Sequence, residues 1–338
     1  MYRLLLHPLR HFPGPRSWAV SRLPYIRSSI KGNIVKDLQA LHDAYGPVVR
    51  VAPDELSYID PKAAAAIYQS APEMPKDPMH LPPFHKGTAP GILAADKEHH
   101  TRYRRVLAHG FSDKGIRAQQ PLIKGHIDQL LRKLDECCGP EAVNICAWYN
   151  WATFDIIGDL AFGESFGCLE DGKTHDWIAS IQGNVKAIPF VNAIRRMGLS
   201  WMLAWIVPKK LLEMRKRNGQ YSEAKVDKRL AAGDKRGDLW DAVIGGNEKE
   251  ASMSKAEIVS NASAIVVAGS ETSATLLSGC TWLLLTHPDV YQRLVKHVRI
   301  SFENEEDINL ISVGKLDYML AVLDEAMRLY PPVRKYKC

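Results

Sequence analysis

Ala268-Gly269-Ser270-Glu271-Thr272-Ser273 lies in the middle of an apolar stretch from Ser254 to Thr286, and the reading of that stretch decides the fold. Ser254 and Glu257 form a capping pattern. Hydroxyl and carboxylate each take an orphan backbone N–H, so a helix starts there. His287-Pro288 ends it, because proline disfavours helix in the residue before it and lacks an N–H. The result is a rod of roughly 48 Å at ~1.5 Å per residue, long enough to cross a whole domain. Ile258, Val259, Ala262, Ile265, Val266 and Val267 precede the break, and Leu276, Leu277, Trp282, Leu283, Leu284 and Leu285 follow it.

The break itself is informative. Glycine in a helix interior is about 1 kcal/mol worse than alanine. A carboxylate such as Glu271 is costly to bury unpaired. Thr272 is placed to bond back to the carbonyl of Ala268 and loosen the helix. A membrane span needs about 20 apolar residues, but Ser260, Asn261, Ser263, Ser270, Glu271 and Thr272 make this stretch too polar. Two readings stay open, since periodicity cannot separate them. One is an ordinary buried core helix. The other is a helix with a small-residue notch against which a flat ligand packs, beside groups able to move protons.

Elsewhere, His99 to Arg105 opens another helix, and His100 and Arg104, four apart, share one face. A solvated basic face is one reading; an anion site is the other, because guanidinium binds carboxylates bidentately. Glu325 and Arg328 are neighbours on a later helix, and as an exposed ion pair would contribute about 0–1 kcal/mol.

Ala268-Gly269-x-Glu271-Thr272 resembles the central-helix signature of the cytochromes P450, the haem-thiolate monooxygenases. Glu325-x-x-Arg328, followed by Leu329-Tyr330-Pro331-Pro332, resembles that family's E-x-x-R helix and its proline exit. Two motifs in the family's order make the match specific. It covers nearly the whole chain from His7 on, and the wording is similar to fungal secondary-metabolism members. The resemblance implies a mainly α fold with a small N-terminal β-region, a single cytochrome P450-like domain over residues 1–338 lacking its C-terminal part. It implies haem (iron protoporphyrin IX) and electrons from NADPH through a separate cytochrome P450 reductase. It also implies monooxygenation of a small apolar organic substrate with O2.

The same resemblance assigns residues. Glu271 and Thr272 would be catalytic, delivering protons. Ala268 and Gly269 would let haem and substrate approach the helix. His100 and Arg104 would bind the haem propionates. Glu325 and Arg328 would form a buried structural core pair. The family's iron-ligating cysteine lies well beyond the E-x-x-R helix, whereas ten residues follow Arg328 and none matches that loop. Cys338 is therefore not assigned, no metal ligand is named, and truncation before the cysteine loop is expected. The alternative function is a catalytically inactive remnant or a helical binding module.

Composition is compatible with all this. Hydrophobic residues make up 46% and charged residues 24%, the balance of a soluble globular chain with ample core. The net charge of +6 suits an anionic membrane surface without requiring one. No basic run or zinc-finger spacing points to nucleic acid. Six cysteines without a C-x-x-C favour a reducing compartment.

In chain order, residues 1–15 form a proline-rich segment. Asn33–Tyr45 reads as an amphipathic helix, Val48–Ala52 and Leu56–Ile59 as a hairpin, and Ala63–Tyr68 as a short helix. Met74–Gly91 reads as a long loop, which by resemblance would roof a substrate pocket. Ile116–Cys138 and Ala147–Phe162 read as helices. In Ile188–Lys210, Trp201 and Trp205 beside lysine and arginine suggest membrane-surface contact; a helical pair capping the core is the alternative. Met214–Glu250 reads as exposed helix and loop. Pro288–Phe302 and Ala321–Tyr330 close the chain as helices. By resemblance the protein sits at the endoplasmic reticulum membrane surface, or in the cytoplasm if Met1 is the genuine start.

Overall fold

The computed structural model describes residues 1–70, 74–77, 89–139, 141–206, 209–233, 236–241 and 253–333. It is mainly helical with one two-stranded sheet, the fold class expected. Two compact units are distinguished. One is built from Met1–Pro83, Gln182–Met214 and Arg334–Cys338, the other from Phe84–Ile181 and Arg215–Val333.

In the first unit, short helical turns at Arg16–Val20 and Leu23–Ile30 lead to α1 (Ile34–Tyr45). Strands β1 (Val48–Ala52) and β2 (Glu55–Tyr58) pair antiparallel, and α2 (Pro61–Tyr68) follows. The second strand starts one residue earlier than its hydropathy suggests. The register skips Val51, so that Ala52 pairs with Glu55, a bulge of the kind that tightens twist at a sheet end. Val49 and Val51 are buried with Tyr25 and Leu38. The proline-rich segment is strapped to this sheet: the Arg50 N–H donates to Pro13 O at 2.7 Å. Arg50 is itself buried, donating from Nη1 to Arg3 O at 2.9 Å and from Nη2 to Pro53 O at 2.5 Å.

The second unit contains α3 (Lys97–Ala108), α4 (Asp113–Glu136) and α5 (Ile145–Phe162). Helices α6 (Asp176–Arg196) and α7 (Lys209–Ala232) run from one unit's sequence into the other's. The central helix α8 (Lys255–Thr286), α9 (Pro288–Ser301) and α10 (Asp317–Leu329) complete the second unit. The capping box at Ser254 and Glu257 is present, and α8 runs 32 residues without a break. Its main partner is α5. Ala262, Val266, Ser270 and Ala274 are all 0% exposed; spaced by four, they form one ridge along the face that meets α5. Phe154, Phe162, Trp177, Val226 and Trp240 extend the core.

Two expectations need correction or fall in part outside the described residues. Met214–Glu250 is not uniformly exposed. Arg229 donates to Asp238 (Nε to Oδ2, 2.5 Å) and to Asp241 (Nη2 to Oδ1, 2.7 Å), and Trp240 Nε1–H donates to Ala161 O at 2.6 Å. Charge density misled because the charges neutralise one another inside: the Arg229 and Asp238 side chains are 3% and 0% exposed. Residues 242–250 of that segment lie outside the described residues, as do 78–88 of the Met74–Gly91 loop.

Candidate functional site

The polar residues at the middle of α8 divide between two faces. Ser270 is fully buried in the ridge against α5, its hydroxyl donating to Val266 O at 2.6 Å. Thr272 Oγ1 donates to Ala268 O at 2.6 Å and Ser273 Oγ to Gly269 O at 3.0 Å. Each hydroxyl thus finds its acceptor one turn back, which satisfies it without another chain segment. The helix is not broken by these bonds.

Gly269 is half-buried at the edge of the packed face. A Cβ placed there would lie 2.9 Å from Ile157 Cδ1 and 3.1 Å from Ile157 Cγ1. The Ile157 side chain of α5 takes up part of the space left by the missing side chain. The physical reason is angular: Gly269 lies one step, about 100°, from Ala268 around the helix. The open face carries Val267, Ala268 and Glu271, all exposed, with Thr272 half-buried. The expected catalytic pair and Ala268 therefore share an open face, with the half-buried glycine at its edge. Among the described residues the Glu271 carboxylate has no hydrogen-bond partner. Thr272 has its proton on Ala268 O and its lone pairs free.

Helix α3 is held against the first turns of α8 by one carboxylate. Glu257 Oε1 accepts from Tyr103 Oη–H at 2.9 Å and from Arg102 Nη2. Glu257 Oε2 accepts from Arg102 Nη1 at 3.1 Å and from the Ser254 N–H at 2.7 Å. Tyr103 is fully buried, and the Arg102 guanidinium lies 5.0 Å from its ring centroid. The paired Arg102, with help from the Ser254 and Tyr103 donors, holds the Glu257 carboxyl down at about 2. Burial, then the bond to Glu257, pushes the Tyr103 phenol up to about 12. The segment before α3 is keyed to the same helix: the Ile92 N–H donates to Asn261 Oδ1 at 2.8 Å. Sequence reading assigned Glu257 to the cap alone. The adjacent Arg102-Tyr103 pair was the available signal, but nothing local says that a cap carboxylate also receives a second helix.

His100 is half-buried and Arg104 exposed; neither side chain has a hydrogen-bond partner among the described residues. They sit one turn apart on α3, as the spacing predicts. His99 does not join them, because it is spent on Asp96 at the start of the helix (Nδ1 to Oδ1, 2.7 Å).

Glu325 and Arg328 do pair, with Nε–Oε2 and Nη2–Oε1 both 2.7 Å. The expected burial of the pair is corrected: the side chains are 54% and 68% exposed. The reason is how α10 seats. It docks through buried Ala326, and the Tyr330 ring closes on Gly279 of α8, where a Cβ would fall 2.6 Å from Cδ1. A cleft of about 340 Å3 lies between the ends of α8, α9 and α10, with Cys280, Tyr318 and Glu325 in its walls.

His100 and Arg104 have the chemistry to meet an anionic group. Two basic residues one turn apart match carboxylates, and Ala268 on the open face of α8 allows van der Waals approach of a ring. The two buried cysteines are poor sources of a thiolate. Burial pushes the Cys168 thiol up to about 11 and raises that of Cys280, the wrong direction for a metal ligand. Cys137, Cys138 and Cys146 are exposed. Among the described residues no cluster of three His, Cys, Asp or Glu could hold a metal.

The family description "Cytochrome P450" matches residues 12–336. The chain is 67% identical over 332 residues to an averantin hydroxylase of Dothistroma septosporum, covering 98% of this chain and 63% of the relative. It is 58% identical to an averantin hydroxylase of Aspergillus parasiticus, covering 98% and 68%. A versicolorin B desaturase of Dothistroma septosporum is 40% identical, covering 98% and 66%. The chain thus spans about two thirds of the length of the curated relatives it matches. Among solved structures, the cytochrome P450DA heme domain superposes with a TM-score of 0.55 at 19% identity, covering 67% of this chain and 48% of that one. At that identity the superposition speaks for the fold alone.

Proposed function

Because this chain belongs to the cytochrome P450 family, we propose that it serves a haem-dependent monooxygenase acting on averantin or a close analogue, with residues 1–338 forming one domain of that fold. The averantin assignment is carried by the 67% identity to a relative bearing that name. Haem, when bound, supplies the iron redox chemistry that activates O2. NADPH supplies the electrons through a separate reductase.

What the chain's own residues do follows from their placement. Ala268 keeps the open face of α8 low. Thr272 holds its proton on Ala268 O at 2.6 Å and releases it by rotating its hydroxyl. Glu271, exposed one step away, takes up protons from water and passes them along that face. His100 and Arg104 bind and orient the propionates. The observation that carries the reading is the shared open face of Ala268, Glu271 and Thr272.

The test is the full protein that carries this chain, loaded with haemin, reduced under CO, then supplied with averantin, reductase and NADPH. A thiolate-type Soret band with averantin hydroxylation is expected, and Glu271→Gln and Thr272→Ala should slow product formation while leaving the band. A band without any oxidation of averantin refutes the substrate assignment. The second reading, a helical binding module without catalysis, is favoured by one observation: burial pushes the thiols of Cys168 and Cys280 up, away from thiolate character. Absence of the band together with intact haemin binding supports it.

The reading also includes the endoplasmic reticulum surface as location. Trp201 and Trp205 are 70% and 88% exposed, and exposed tryptophans near basic residues suit a membrane interface. No described helix is long and apolar enough to cross a membrane. Liposome binding unchanged by replacing both tryptophans with alanine removes the membrane contact.

A further inference from the structure

We propose that Glu257 is a positioning residue for the anion-binding pair His100 and Arg104: by gripping Arg102 and Tyr103 it sets the rotation of α3 about its own axis. The inference rests on the reading of that pair as the holder of the haem propionates.

The argument starts from the number of donors on one carboxylate. Glu257 accepts from Arg102 twice, from the Tyr103 hydroxyl and from the Ser254 N–H. A cap needs the last of these alone. The other three come from α3, 154–155 residues away in sequence. Two consecutive residues of α3 are thus held on one point, and two consecutive positions about 100° apart define a rotation. Counting from Arg102 at that step, His100 and Arg104 lie roughly 160° to either side, and about 60° and 100° from Tyr103, so the pair flanks the clamp rather than sharing its contact. A slip of α3 about its axis would therefore carry the pair off its target while leaving the helix intact.

The clamp is well enough fixed to do this. Tyr103 is 0% exposed, and its ring supports the Arg102 guanidinium. The approach to α3 is pinned separately by the Ile92 N–H on Asn261 Oδ1, whose own Nδ2 donates to Glu257 O at 2.8 Å. Bidentate guanidinium pairing adds direction as well as energy. Among the described residues neither His100 nor Arg104 makes a bond that would orient α3; the buried Val106 and Leu107 seat the helix, and Glu257 adds a polar contact with a defined direction.

The experiment compares haemin with haemin dimethyl ester, whose propionates carry no charge. Affinity for each is read from quenching of tryptophan fluorescence, and helicity from circular dichroism. The wild-type chain should prefer the free acid by about tenfold, the value of one strong charge-assisted contact. Arg104→Leu should abolish the preference. Glu257→Gln and Arg102→Lys should reduce it several-fold with helicity retained, and Tyr103→Phe should reduce it less. The combination Glu257→Gln with Arg104→Leu should be no worse than Arg104→Leu alone. A preference lost in Arg104→Leu but undiminished in both Glu257→Gln and Arg102→Lys overturns the positioning role and leaves the propionate reading standing. No preference in the wild type, with Arg104→Leu indistinguishable from it, overturns the propionate reading itself. Arg102→Lys keeps the charge while losing the bidentate fork, so it carries the test even where Glu257→Gln disturbs the cap.

Discussion

Replacing Gly269 by alanine tests where the open and packed faces of α8 lie. Two effects of opposite sign meet at this position. Alanine relieves a helix-interior handicap of about 1 kcal/mol. Its Cβ would also sit 2.9 Å from Ile157 Cδ1 and 3.1 Å from Cγ1, and overpacking of a close contact costs about 1–3 kcal/mol. Ile157 Cδ1 is the far end of a flexible side chain, so the lower half of that range applies, and the net is a loss of about 0–1 kcal/mol. Ile157→Val removes the obstructing methyl. In the wild type it should cost about 0.5–1.5 kcal/mol for the lost contact. In the Gly269→Ala background it should cost almost nothing, because it also relieves the clash. The expected coupling is therefore about 1 kcal/mol in a double-mutant cycle. Urea unfolding of the four proteins, followed by circular dichroism, measures it. In thermal scans each kcal/mol corresponds to about 2–4 °C. Should Gly269→Ala raise stability by the full propensity gain with no coupling to residue 157, position 269 faces open space. The flat-ligand notch would then be open there.

The remaining predictions concern the charged pairs. Glu257 has its carboxyl held at about 2 in the fold against 4.5 when unpaired; a depressed acid contributes stability above 4.5 that is lost as pH falls toward 2. Wild type and Glu257→Gln should therefore converge in stability over that window, and parallel pH profiles down to pH 2 would refute the pairing. Asp238→Ala should destabilise by about 3 kcal/mol, since it strips a partner from a buried guanidinium. Asp241→Ala should cost less, because Asp241 is partly exposed and Asp238 still pairs with Arg229; urea midpoints reversed in order would contradict this. Glu325→Ala should change the stability of this chain by less than about 1 kcal/mol, as an exposed pair. A drop of several kcal/mol in urea unfolding would show that the pair is not the surface feature described.

Local chemistry was enough wherever a feature is completed within a few residues. The start and end of α8, the hairpin, the one-turn spacing of His100 and Arg104 and the Glu325–Arg328 pair are settled by capping, proline and side-chain periodicity. These need no knowledge of what lies across the chain. The family, too, was legible, because its two motifs are short and stand in order.

Tertiary structure decided which way each side chain faces and what a distant residue does with it. Gly269 proved to be a seat for Ile157, 112 positions earlier in sequence, because the α5 ridge comes close at that angle. The cap carboxylate of Glu257 proved to hold a second helix. The charge-rich run around Arg229 proved to be core, since its charges cancel inside. In each case the outcome depends on a partner far along the chain, and no pattern of period 2 or 3.6 encodes the identity of that partner.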